Sequence, residues 1–207
     1  MTLRVLRTGL SMALLMGASA AGSAAQERPN IIYIMADDLG YGDLSCFGQS
    51  KFETPHLDRM AAEGVRFTDY YAGSTVCAPT RCVLMTGMHT GHAYVRGNRE
   101  AKPEGQAPMP EDIVTLPRLL GEAGYVTGMF GKWGLGAPGS SSDPMQHFDV
   151  FYGYNCQREA HSFYPGHLWS NDKKVLLDGE TYSADLIAEQ ALQFIRDNKD
   201  QPFFAYL

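Results

Sequence analysis

The sequence predicts an α/β fold with a mostly parallel central sheet. Two observations lead there. Short apolar runs with strand character alternate with helical segments that carry their own start signals. The residues best suited to chemistry fall just after strands, where functional groups collect in such sheets.

In chain order, Asn30 to Ala36 holds three isoleucines and reads as a strand buried on both faces. It runs into a polar, glycine-rich loop, Asp37 to Gly42. Thr54 then caps a helix with Pro55 at its first position, and Gly64 ends it. Val65 to Ala72 is expected to be another strand. Pro79 suits the first turn of a helix beginning just after Cys77. The stretch 97–110 is polar, carries three prolines and reads as a loop. Thr115 to Glu122 is a short helix, and Tyr125 to Phe130 is a strand ending at Gly131-Lys132. Gly136 to Pro144 is a loop. Ser183 caps a last helix whose apolar face holds Leu186, Ile187, Ala191, Phe194 and Ile195. Phe203 to Leu207 is a buried-strand pattern in which the chain stops, so the sequence is expected to be a truncated part of a larger domain with a hydrophobic strand left unpaired.

Composition narrows the class. A chain of 207 residues with 44% hydrophobic and 19% charged residues has enough apolar material for a core and is not disordered in composition. Its net charge of −6 comes without a basic run, which argues against nucleic acid as a partner. Residues 1–25 read as a signal peptide. Arg4 and Arg7 precede an apolar stretch from Leu10 to Ala18, and Ser23-Ala24-Ala25 fits a cleavage site before Gln26. The stretch is short for a bilayer span. The mature chain, 26–207, is therefore expected in a periplasm or outside the cell, with no membrane attachment once the signal is removed. Of the four cysteines, Cys46, Cys82 and Cys156 read as buried small apolar residues, with room for one disulfide.

Three clusters carry chemistry. Asp37-Asp38 places two carboxylates after a strand, where a hard divalent cation would offset their repulsion; alone, such a pair is usually just solvated. Cys77-Ala78-Pro79-Thr80-Arg81 followed by Thr86-Gly87 is, at its blandest, a helix start with a buried thiol and a surface arginine. Gly124 to Gly134 is a glycine-rich strand and turn containing Lys132-Trp133. His89, His92, Arg96 and Asn98 lie in a stretch that could border the site, as do His147, His161 and His167, though each reads first as a surface or packing residue.

Taken together and in this order, the clusters resemble the type I sulfatases. The run from Cys77 to Gly87 is similar to the motif whose Cys a maturation enzyme oxidises to formylglycine, with Thr80 where many members have Ser. Gly124 to Gly134 is similar to the second sulfatase motif, except that Gly134 stands where many members have His. The resemblance covers Pro29 to Leu207. It implies an alkaline-phosphatase-like α/β sandwich and the hydrolysis of small-molecule or carbohydrate sulfate esters. It also implies one divalent cation, Ca²⁺, held by Asp37, Asp38 and the modified Cys77. Arg81 would hold the modified residue and Lys132 would contact sulfate. An Asp-Asn pair and a later Lys and His would come from beyond Leu207. Two alternatives stay open: a phosphoester or phosphonate-ester hydrolase on the same scaffold, and an inactive truncated remnant.

Overall fold

The computed structural model describes residues 28–207; the expected signal peptide lies outside the described residues. Six strands form one sheet: β1 (Ile31–Tyr33), β2 (Val126–Lys132), β3 (Val150–Tyr154), β4 (His167–Ser170), β5 (Lys173–Leu176) and β6 (Phe203–Tyr206), in the order β1-β6-β2-β3-β4-β5. The first four strands of that order run parallel; β4 and β5 add an antiparallel hairpin at one side. The helices are α1 (Pro55–Glu63), α2 (Cys77–Thr86), α3 (Leu116–Glu122) and α4 (Ser183–Asn198). The mostly parallel sheet between helical layers is the α/β fold expected from the alternation of elements. None of the helices among the described residues is long and apolar enough to cross a membrane.

Because successive side chains of a strand point to opposite faces, each central strand feeds two cores. Met129 of β2 and Phe204 and Tyr206 of β6 pack with Ala78, Cys82 and Met85 of α2. Phe130 of β2 and Phe203 and Ala205 of β6 pack with Ala191 and Phe194 of α4. Phe130 and Phe194 meet at 5.3 Å between ring centroids. Each fully buried aromatic of this kind contributes about 1.5–3 kcal/mol over leaving it exposed.

Four expectations change. Phe203 to Tyr206 is not an unpaired strand: β6 lies between β1 and β2 and is fully buried. The edge strands of the sheet are β1 and β5, and β1 is shorter than expected and not buried on both faces. Ile31, Tyr33 and Met35 pack inward, whereas Ile32 and Ile34 are 49% and 64% exposed. Residues 65–72 form no strand; they lie exposed without a ladder partner, so their β-branched and aromatic composition has nothing to pair with. The sequence reading also missed β3, β4 and β5, whose Gly, Tyr and Lys content hides the pattern. The four cysteines are all free thiols.

Candidate active site

The site forms where β1 and β2 end. β1 gives way to a tight turn in which Asp38 adopts φ 63°. The Asp37 carboxylate turns toward the sheet. Lys132 Nζ, from the last residue of β2, donates to Asp37 Oδ2 at 2.7 Å and to Cys77 Sγ at 3.2 Å. Cys77 Sγ lies 4.0 Å from Asp37 Oδ1. Three residues far apart in sequence thus meet at one point.

Cys77 opens α2. Val76 precedes it in an extended conformation and cannot cap with its side chain. The Pro79 ring falls in the first turn, where its missing N–H costs nothing. Gly87, at φ 66°, closes the helix with its N–H on Val83 O. One turn after Cys77, the same helix buries Arg81. Its Nη1 donates to Lys132 O and, at 3.1 Å, to Tyr206 Oη, and its Nη2 lies 3.5 Å from Asp37 Oδ2. Arg81 Nε has no protein partner. The surface arginine of the bland reading is therefore a buried one, 5% exposed. It ties the end of β2 to the end of β6.

The electrostatics follow from this geometry. Burial raises the Asp37 carboxyl, but hydrogen bonding and charge from Lys132 and the charge of Arg81 outweigh it, so the group titrates below the usual carboxylate range. Burial pushes the Tyr206 hydroxyl up despite Arg81, so it stays a neutral acceptor for the guanidinium. Beside Cys77, Lys132 and Arg81 both pair with the Asp37 carboxylate, and Asp38 follows it in the same turn. A cavity of about 620 Å³ reaches Cys77, Asp37, Asp38 and Arg81 and runs along β1 to Tyr70 and Tyr71.

Asp37 and Asp38 supply hard oxygen donors, the right kind for Ca²⁺. Among the described residues no three His, Cys, Asp or Glu side chains gather into a metal-holding group. A calcium ion takes about 6–8 oxygens, so these residues match the ion in kind and fall short of it in number.

Three residues were missed or underrated by sequence reasoning. Tyr206 hid its hydroxyl inside an apolar strand pattern. Asn98, in a stretch that could border the site, read first as a surface or packing residue, yet its Oδ1 accepts from Ala78 N at 3.0 Å, at the start of α2. Gln157, just beyond β3, fills the space in front of Gly134. Its Nε2 lies 3.3 Å from Gly134 O, and a Cβ built on Gly134 would fall 2.1 Å from that nitrogen. A histidine at 134 would have no room while Gln157 stands there. Of the other polar residues set aside, His167 belongs to a separate cluster around Glu104, and His147 is buried against Thr115, with its Nδ1 3.1 Å from Thr115 Oγ1. His161 is near enough for its charge to help lower Asp37.

A family model described as Sulfatase matches residues 29–207. N-acetylgalactosamine-6-sulfatase of Canis lupus familiaris is 34% identical over 96% of this chain and 42% of its own length. Arylsulfatase A of Homo sapiens is 42% identical over 66% of this chain and 27% of its own length. Among solved structures, one in complex with its substrate D-glucosamine-2-N,6-O-disulfate superposes with a TM-score of 0.70 at 30% identity. That match covers 87% of this chain and 34% of the other. The chain thus spans less than half the length of these relatives.

Proposed function

Because this chain belongs to the sulfatase family, we propose that it carries the nucleophile-bearing part of a sulfate-ester hydrolase, with Cys77 as the precursor of the nucleophile. The observation that carries this reading is the meeting of Cys77 Sγ with Lys132 Nζ at 3.2 Å, beside a buried Arg81. A sulfate ester is an anion, and further negative charge builds on the departing ester oxygen as its bond to sulfur breaks. Fixed cations in a partly dry site stabilise that charge without having to reorganise. Lys132 reaches the position of the reacting group directly. Arg81 is held by Lys132 O and Tyr206 Oη, so it supplies charge and fixes the two strand ends.

A thiol is not the group we assign to the attack. Oxidised by a maturation enzyme to an aldehyde and then hydrated, residue 77 would present two hydroxyls on one carbon. One attacks sulfur and displaces the alcohol; proton loss from the other expels sulfate and restores the aldehyde. Asp37 and Asp38 would hold Ca²⁺, which when bound would supply Lewis-acid charge at the sulfate oxygens. Asp37 would then exchange its Lys132 contact for the ion and release the lysine toward substrate. The class of substrate is a sulfated carbohydrate or aryl sulfate, and the names of the relatives put hexosamine 6-sulfates first for assay. Export through residues 1–25 to a periplasm or the exterior belongs to the same proposal.

The test uses the enzyme as its gene encodes it, coexpressed with a formylglycine-generating enzyme. Peptide mass spectrometry of the Cys77 segment is expected to show the mass loss of thiol-to-aldehyde conversion. Turnover of an aryl sulfate and of N-acetylgalactosamine 6-sulfate is expected to vanish in Cys77→Ala and persist in Cys82→Ala. An active preparation whose residue 77 is an unmodified thiol would defeat the reading.

A further inference from the structure

We propose that Asn98 is a substrate-binding residue that donates a hydrogen bond from Nδ2 to the sulfate group at residue 77. The inference rests on the sulfatase reading and adds to it a ligand contact from outside the three motifs. It begins with the orientation of one amide. A backbone N–H can only donate, so the Asn98 atom 3.0 Å from Ala78 N must be the oxygen. The other end of the amide is then an NH₂ group. Among the described residues it has no hydrogen-bond partner, and Asn98 is exposed. A two-proton donor therefore stands open to solvent, anchored to the residue next to Cys77.

The segment that carries Asn98 is built to hold it still. Residues 99–107 fold back on themselves, with Ala107 N donating to Arg99 O at 2.7 Å and Ala101 N to Gly105 O at 3.1 Å. Near the tip, Glu104 accepts from His167 Nε2 at 3.0 Å, Trp169 Nε1 at 2.7 Å and Lys174 Nζ at 3.1 Å, which latches the loop onto the β4–β5 hairpin. Glu100 pairs with Arg158 at 2.9 Å on the other side. A donor held by such a frame loses little freedom when a ligand arrives, which is how a preorganised hydrogen bond gains its value.

A purely structural role makes the opposite forecast for one substitution. If Asn98 only caps α2, Asn98→Asp is harmless or helpful. Aspartate accepts from Ala78 N as asparagine does, and its charge suits a helix N-terminus. If Nδ2 binds sulfate, the same change replaces the donor with a negative oxygen facing an anion. For Asn98→Asp we expect an unchanged or raised Tm together with a fall in kcat/KM of roughly 100-fold, the scale of losing one oxyanion donor. Affinity for inorganic sulfate, measured by calorimetry on the matured, calcium-loaded enzyme, is expected to fall roughly tenfold or more. Asn98→Ser, which keeps a capping oxygen on a shorter arm, is expected to lose kcat/KM in the same direction and decides the matter if the Asp variant does not fold. Wild-type kcat/KM and sulfate affinity in a folded variant would overturn the proposal and leave Asn98 a cap. If the parent enzyme turns over no sulfate ester, the sulfatase reading itself fails, and the sulfate affinities alone then judge Asn98: equal affinities, or no binding by the parent, overturn it.

Discussion

Gly134 is the place where this chain departs most visibly from its family motif, and the structure gives the departure a measurable consequence. The perturbation is Gly134→Ala, alone and with Gln157→Ala. Gly134 has φ 69°, in the left-handed region that costs a residue with a Cβ about 1–2 kcal/mol. The added carbon would also fall 2.1 Å from Gln157 Nε2 and 2.6 Å from its Cδ. Gln157 is 3% exposed, so its amide has little open space to move into. Overpacking of this sort typically costs about 1–3 kcal/mol. The single variant is therefore expected to lose about 2–5 kcal/mol. With Gln157→Ala as the background, the clash disappears and only the backbone cost of about 1–2 kcal/mol remains. The difference between the two backgrounds is a coupling energy of about 1–3 kcal/mol, in the range found for residues in contact. Urea denaturation followed by tryptophan fluorescence reads it, since Trp133 is fully buried next to the site. A Gly134→Ala cost that is the same in both backgrounds would refute the argument that Gln157 occupies the space a side chain at 134 would need.

Two further outcomes follow from buried polar groups. Burial, with a smaller contribution from the Arg118 charge, lowers the His147 pKa from 6.5 to about 4. The unfolded chain therefore takes up this proton first: the stability is whole above pH 6.5 and is lost as pH falls toward 4, by on the order of 3 kcal/mol. His147→Asn is expected to remove that part of the pH dependence between pH 7.5 and 5, and an unchanged slope of stability against pH would show that another group is responsible. Glu104 is held below the usual carboxylate range because bonds from His167, Trp169 and Lys174 outweigh its burial. Glu104→Gln sets a donor against those donors, and is expected to cost about 1–3 kcal/mol and to raise protease cleavage within residues 99–107; an uncleaved loop would mean that Glu104 is not the latch.

The helices were legible because their signals are local. The Thr54-Pro55 start, the Pro79 turn after Cys77 and the apolar face of α4 each depend on residues within a few positions of one another. The central strands β2 and β6 announced themselves as apolar runs. By contrast, β3 to β5 and the emptiness of 65–72 depended on which partner each segment found, and no short stretch of sequence encodes a partner. The same limit placed the open edge wrongly, since only the topology puts β6 between β1 and β2.

For the site, the sequence by itself determined which residue types were on offer: the carboxylate pair after β1, the Cys77 to Arg81 run, and Lys132 at a strand end. Motif spacing is a local property, and it survives without coordinates. Only the tertiary structure decided that Lys132 bridges Asp37 and Cys77, that Arg81 is buried between two strand ends, that Gln157 closes the space at Gly134, and that Asn98 reaches the start of α2 from 20 residues away. Each of these joins residues that the chain brings together only when the sheet assembles. The physical reason is that a side chain's partner, charge state and freedom are set by what packs against it, and in this fold those neighbours come from other strands and loops.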